Sequence, residues 1–107
     1  MNNSGKKLPK DINDIINSLC HDYKRRKSLL ERGKAHGQVK RYYIRLNNAI
    51  DEALEEECDE GLRTHILNDI GENRGYRKSA AYFVSQVTYY DRKRRVKFAM
   101  AKKLHFI

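Results

Sequence analysis

The 107-residue chain has few residues that break helices or cross-link a fold, with one proline, six glycines, two cysteines and no tryptophan. Little proline and glycine leaves room for long helices and few tight turns. Cys20 and Cys58 follow no paired motif, which favours two reduced thiols over a disulfide. The longest unbroken apolar run, residues 80–84, is far shorter than the ~20 residues of a membrane helix. No apolar segment follows the first lysines, so we expect no secretory signal, no membrane span and a cytoplasmic protein.

Residues that carry catalysis or bind metals do not form a recognisable set in this sequence. Cys20 and His21 are adjacent rather than spaced, and Cys58 to His65 lacks a second pair of ligands. The acidic stretch at 51–60 lacks the pattern of a calcium-binding loop, and no glycine-rich loop for phosphate is present. We therefore expect no enzyme, no metal site and no cofactor.

Positive charge is concentrated in the last third of the chain. Residues 74–107 hold ten basic residues and one acidic residue, Asp91, which accounts for the whole net charge of +9. Residues 1–73 hold thirteen basic and thirteen acidic residues. A cationic segment joined to a neutral one indicates that the C-terminal part binds a polyanion.

Apolar periodicity predicts an all-α fold, with a helical N-terminal hairpin or bundle followed by a C-terminal helix-turn-helix. We expect a flexible tail at 1–10, a helical core or oligomerisation region at 11–72 and a basic DNA-binding region at 73–107. The first helix is predicted to begin with Asp11 as its N-cap and to end near 33–37. The apolar positions of this helix are Ile12, Ile15, Ile16, Leu19, Tyr23 and Leu30, and its outward positions are Lys24, Arg25, Arg26 and Lys27.

Two further helices are predicted in the core region. One runs from about 38 to 57, either antiparallel to the first or as the continuation of one long kinked helix. Its sequence begins basic and ends acidic, against the preference of the helix macrodipole. The acidic end is therefore either a partner-binding surface or a solvated surface that contacts nearby basic helices. A shorter helix follows Asp59 and is expected to stop at Gly71, before a loop that reaches Gly75.

The basic region is predicted to contain a short helix at 77–84 and a longer one at 86–103. Ser85 is expected to cap the longer helix, its hydroxyl accepting from the amide of residue 87 or 88. The positions expected to face the core are Tyr89, Val96, Ala99 or Met100, and Leu104. The positions expected to face outward are Gln86, Thr88, Tyr90, Asp91, Arg94 and Lys97, with Val87 at the margin.

The outward side chains at 86–97 suit the major groove of DNA, because an α-helix fits that groove and its first residues reach base edges. Gln86 can pair with adenine, Val87 and Thr88 can contact a thymine methyl, and Arg94 can reach guanine or a phosphate. Asp91 can accept from cytosine or orient Arg94 or Arg95. The residues expected to face bases are Gln86, Val87, Thr88, Tyr90 and Arg94, and those expected to face phosphates are Arg77, Lys78, Arg92, Lys93, Arg95 and Lys97.

The segment 85–99, Ser-Gln-Val-Thr-Tyr-Tyr-Asp-Arg-Lys-Arg-Arg-Val-Lys-Phe-Ala, resembles the C-terminal signature of phage late transcription regulators of the ArpU/RinA type. The preceding helices, from about residue 45, are similar in order to that family and to sigma-factor region 4. The chain departs from the family pattern at two positions: Lys78 stands where the family has an isoleucine, and Phe83 stands where it has the glycine of the turn. The resemblance implies an activator of late phage or mobile-element genes that binds double-stranded DNA and acts with host RNA polymerase.

Other functions stay open at this point. The long apolar stripes of the N-terminal helices also allow a homodimer. An RNA-binding basic protein would use the same charged tail without sequence preference. An interaction module would bind RNA polymerase or another regulator through residues 51–60. A small terminase would carry a similar helix-turn-helix and assemble into a ring.

Overall fold

The computed structural model describes residues 7–107, which form an all-helical fold. The helices are α1 (Lys10–His21), α2 (Tyr23–Glu31), α3 (Gly37–Glu57), α4 (Glu60–Glu72), α5 (Gly75–Ser79) and α6 (Gln86–Lys103). No strand occurs among these residues, so the all-α prediction is confirmed for them. The tail predicted for 1–10 lies mostly outside the described residues, and its last residue, Lys10, belongs to α1.

The first predicted helix is two helices. A turn at Asp22 separates α1 from α2, so the prediction of one continuous helix was wrong. The N-cap prediction was also wrong, because Pro9 occupies that position and its carbonyl accepts from the amide of Asn13 at 2.9 Å. Asp11 lies inside the first turn instead, where its Oδ1 accepts from the amide of Ile12 at 2.9 Å. An acid there still interacts favourably with the positive end of the helix.

Arg26 is the clearest departure from the predicted outward face. Its side chain is 2% exposed, whereas Lys24, Arg25 and Lys27 are exposed as expected. The Nε of Arg26 donates to Asn47 Oδ1 at 2.8 Å, and its Nη2 donates to the carbonyl oxygen of Leu19. Burial is the largest influence on the pKa of this guanidinium and lowers it. The group nevertheless keeps its charge, because the ordinary pKa of arginine lies far above neutral pH. Arg26 therefore stabilises the packing of α2 on α3.

The helix α2 runs antiparallel to the middle of α3. Tyr23 Oη donates to Asp51 Oδ1 at 2.6 Å, while Arg26, later in α2, meets Asn47, earlier in α3. This arrangement leaves two apolar side chains near the start of α3, Val39 and Tyr42, exposed to solvent. Ile15 of α1 is likewise exposed, although its periodicity predicted a buried position.

The core lies where α1, the second half of α3, α4 and α6 meet. Fully buried aliphatic side chains come from each of these four helices: Ile16, Ile50, Ala53, Ile66, Val96 and Met100. Cys20 and Cys58 belong to the same cluster and are free thiols. Burial raises the pKa of Cys20 to about 12 and that of Cys58 to about 11, so both stay protonated and unreactive at neutral pH.

Gly71 lies within α4 and does not end it, which corrects the predicted helix stop. The C-terminal cap is Asn73, whose φ of 54° is left-handed. A Cβ at position 71 would lie 3.0 Å from the carbonyl oxygen of Cys20 and 3.2 Å from the Cα of His21. Glycine is needed at this position because the backbones of α4 and α1 approach each other closely.

Replacing Gly71 with alanine is expected to destabilise the fold by about 1–3 kcal/mol, since backbone atoms on both helices must move apart. Gly61→Ala is the matched control in the same helix, because a Cβ there meets no atom within 4 Å. That control is expected to stabilise the protein by up to ~1 kcal/mol through helix propensity. Urea unfolding of both variants measures the difference, and equal effects of the same sign would contradict the close contact.

Candidate nucleic-acid interface

The start of α6 is set by Ser85, as the sequence predicted. Ser85 Oγ accepts from the amide of Thr88 at 3.1 Å, and the backbone at Ser85 is extended. The helix then runs over Gln86–Lys103, the predicted range. Tyr89, Val96 and Met100 are fully buried on its inner face, and Leu104 is buried just beyond its end.

The helix predicted at 77–84 is shorter and begins earlier than expected. Its five residues, Gly75–Ser79, end where Ala80 adopts a left-handed φ of 58°. Two side chains contact the backbone at the end of α5 and in the turn that follows. His65 Nδ1 lies 2.6 Å from the carbonyl oxygen of Ser79, and Tyr76 Oη donates to the carbonyl oxygen of Val84 at 2.7 Å. The turn between α5 and α6 consequently exposes Tyr82 and Phe83, which are 65% and 61% exposed.

The residues predicted to face bases differ in how freely they project. Gln86 and Val87 are exposed in the first turn of α6, with Val87 at 82% exposure. Thr88 is exposed, but its Oγ1 accepts from the Ser85 hydroxyl at 3.0 Å. The Tyr90 ring is 41% exposed, and its Oη accepts from the amide of Tyr76 at 3.1 Å. Arg94 is partly buried and forms an ion pair with Asp91, whose other carboxylate oxygen lies 2.9 Å from Arg95 Nε.

The residues predicted to face phosphates fall into two groups. Arg77 and Lys78 are exposed on α5. The four residues on α6, Arg92, Lys93, Arg95 and Lys97, have acidic or polar neighbours within the fold, which for Arg95 is Asp91. Lys93 Nζ lies 3.0 Å from buried Asp69, Lys97 Nζ donates to Asn13 Oδ1 at 3.0 Å, and Arg92 lines a pocket with Glu55, Glu56 and Glu57. The outward position predicted for Lys97 is thus only partly correct, because α1 covers one side of it.

Asp69 organises this end of the molecule and was not singled out by sequence reasoning. The carboxylate is completely buried and accepts from Tyr89 Oη at 2.6 Å, Lys93 Nζ at 3.0 Å and the Gly75 amide at 2.8 Å. Burial alone would raise the pKa of Asp69, but these three hydrogen bonds outweigh it and hold the pKa below the ordinary value. The sequence signal that could have identified Asp69 is its position three residues after Ile66, which places it on the apolar face of the predicted helix.

Residues 1–73 have a net charge of zero, but they contain two segments of opposite net charge. Residues 22–50 hold nine basic and two acidic residues, and residues 51–73 hold nine acidic and one basic residue. In the structure Lys103 contacts the acidic end of α3, with Nζ 2.7 Å from Glu56 and 3.7 Å from Glu52. Part of the acidic surface therefore pairs with α6 itself.

Comparison with known proteins gives no match: no family profile, curated protein or solved structure is similar to this chain. Within residues 7–107, no helix is long and apolar enough to cross a membrane. The same part of the chain has no cluster of three or more side chains that could hold a metal ion.

Removal of the cap hydroxyl tests the start of α6. Ser85→Ala is expected to lower the free energy of unfolding by about 1 kcal/mol, because the Thr88 amide loses its acceptor. Ser85→Asp keeps an acceptor at the positive helix end and is expected to retain most of the stability. Thermal and urea unfolding measure both changes, and identical losses for the two variants would contradict the cap.

Asp69→Asn is expected to cost about 3 kcal/mol at pH 7, because it leaves the Lys93 ammonium without its carboxylate. The pKa of Asp69 is lower in the folded state than in the unfolded state, where it is about 3.9. The contribution of Asp69 to the free energy of unfolding is therefore complete above that unfolded pKa, and it is lost as the pH falls through the folded pKa. The stability difference between wild type and Asp69→Asn should therefore shrink below pH ~4.

The control for Asp69 is Asp91→Asn, which removes a carboxylate that also contacts basic side chains but is partly exposed. Its expected cost is below about 1 kcal/mol. Urea unfolding from pH 7 to acid gives all of these values. Equal costs for the two variants at pH 7 would show that the buried carboxylate does not organise the fold.

Proposed function

We propose that this chain is a sequence-specific DNA-binding transcription regulator that inserts the start of α6 into the major groove. The observation that carries the proposal is the exposed first turn of α6. Gln86 and Val87 project into solvent at the start of the helix, while Tyr89, at the end of the same turn, is fully buried and bonded to Asp69. A helix fixed on one side and polar at its leading end has the form of a recognition helix.

The dimensions and chemistry of this end agree with groove binding. A helix with side chains is about 10–12 Å across, and the major groove is about 12 Å wide. Gln86 can pair with adenine through its amide, and Val87 can contact a thymine methyl. Arg77 and Lys78, exposed on α5, are suited to contact phosphates beside the groove.

The acidic end of α3 restricts how a duplex can lie on α6. Thr88 and Arg92 share a pocket of about 590 Å³ with Glu55, Glu56 and Glu57. Phosphates are repelled from that side, so the duplex is expected on the side of Val87, Tyr90 and Arg94. In this proposal Thr88 maintains the helix start with Ser85, and Lys93 maintains the fold with Asp69.

The resemblance of residues 85–99 to ArpU/RinA regulators supports a role in activating late phage or mobile-element genes together with host RNA polymerase. Within the proposal, α5, the turn and α6 act as a helix-turn-helix in the region 73–107, and residues 11–72 form the core. The regulator would act in the cytoplasm, and a homodimer would place two copies of α6 about one helical turn of DNA apart, ~34 Å.

A second candidate is an interaction module that binds a basic protein segment at the acidic pocket. The observation that favours it is the exposed Phe83 ring beside Glu57 and Asp59 in the pocket lining. An aromatic side chain with acids around it suits an arginine- or lysine-rich segment of a partner. This candidate predicts protein capture that Phe83→Ala abolishes, without retention of DNA.

The DNA-binding proposal is tested by selecting the preferred site from randomised duplexes and then measuring the variants on it. Gln86→Ala is expected to cost about 1–3 kcal/mol on the selected site and to relax preference at one base pair. Arg77→Ala, the control for a phosphate contact, should weaken all sequences alike and reduce the salt slope by about one. No enriched site, or unchanged binding by both Gln86→Ala and Val87→Ala, would refute the proposal.

A further inference from the structure

A basic pocket lies where the segment before α1 meets one face of α6. Its volume is about 440 Å³, within the range of small-molecule sites. Five cationic side chains from two separate parts of the chain line it: Lys7, Lys10, Lys93, Arg94 and Lys97. Among the residues 7–107 that the structure describes, no acidic residue lines this pocket.

The cations of this pocket are only partly neutralised by their neighbours. Lys10 pairs with Asp14, Lys93 with Asp69 and Arg94 with Asp91, but the partner of the Lys97 ammonium is the neutral amide of Asn13. Burial and then the nearby Lys93 ammonium lower the pKa of Lys97, which shows that its charge is held at a cost. An anion entering the pocket would offset that cost.

The other side of the pocket offers an apolar and aromatic surface. Leu8 and Phe98 contribute apolar lining, and the Tyr90 ring, partly exposed, lies at its edge. Lys93 Nζ is 5.9 Å from the centroid of that ring, so cationic and aromatic groups are adjacent. The cations can bind a phosphate group, and the adjacent aromatic ring can stack on a base. This combination suits a nucleotide.

We propose that this pocket binds a phosphate group carried beside a flat ring, as in a nucleotide. The phosphate contacts Lys97, Lys10 and Arg94, and the base stacks on Tyr90 with its far edge against Leu8 and Phe98. The site shares Tyr90 and Arg94 with the side of α6 proposed to face a duplex, but it does not include Gln86 or Val87 and does not require α6 to enter a groove. The same chemistry is available from a free nucleotide or from one nucleotide unit of a nucleic-acid strand.

The experiment is an NMR titration of the full chain with AMP, with inorganic phosphate and adenosine as partial probes. AMP is expected to shift the amides of residues 7–13 and 90–98 saturably, and each partial probe should bind at least about tenfold more weakly. Lys97→Met, which removes the charge but keeps an unbranched side chain only one atom shorter, should weaken AMP binding about tenfold or more. The matched control Lys102→Met, exposed in the last turn of α6, should leave AMP binding unchanged.

A second variant guards against an effect of Lys97→Met on folding. Lys10→Gln changes an exposed side chain and is expected to weaken AMP several-fold while amide spectra elsewhere stay as in wild type. Absence of saturable shifts at about 10 mM AMP, well above the ~1 mM dissociation constant of a weak complex, would overturn the proposal. Equal losses for Lys97→Met and Lys102→Met would overturn it as well.

A DNA duplex added to the AMP complex identifies the source of the phosphate. Displacement of AMP, together with weaker duplex binding by Lys97→Met, assigns the pocket to a strand phosphate. Retention of AMP in the presence of bound duplex assigns it to a free nucleotide. Gln86→Ala should leave AMP binding unchanged, so failure of sequence-specific DNA binding and failure of this site are separate results.

Discussion

The hydrogen bonds to the buried Asp69 carboxylate determine the orientation of α6. Tyr89 and Lys93 are four residues apart and lie on one face of the helix, and both donate to the same side chain of α4. The Gly75 amide donates to it as well and places the start of α5 beside them. These donors hold one face of α6 inward, whereas Gln86 and Val87 at its start are exposed.

Several basic side chains of α6 take part in packing against other helices, which the composition alone does not reveal. Lys93, Lys97 and Lys103 contact Asp69, Asn13 and Glu56 and so stabilise the packing of α6 on three other helices. The exposed cations Arg77 and Lys78 lie on α5 instead. The number of cations available at the surface is therefore smaller than a count of the C-terminal lysines and arginines implies.

Local signals in the sequence predicted some elements well. Ser85 before a helical pattern identified both the cap and the full extent of α6, since an N-cap depends on its own next three residues. The missed features depend on distant residues. Arg26 is buried because Asn47 and Leu19 accept from it, and Gly71 lies inside α4 because α1 passes close by.

The candidate interface shows the same division between local and distant causes. Exposure of Gln86 and Val87 follows from their place after the cap and was predictable. The exposure of Phe83 follows from the early end of α5, which depends on contacts of His65 and Tyr76. The role of Lys93 depends on an acid twenty-four residues away that no local pattern identified.

The order of charge along α3 has a consequence for how salt affects the molecule. Gly37 and Glu57 are the two ends of this helix, about 30 Å apart, with Lys40 and Arg41 near one end and Glu55, Glu56 and the start of α6 near the other. The Debye length at physiological ionic strength is about 8 Å, so an ion near one end does not sense the charges of the other. Salt therefore acts separately on the charges at the two ends of α3, and the net charge of +9 describes neither end.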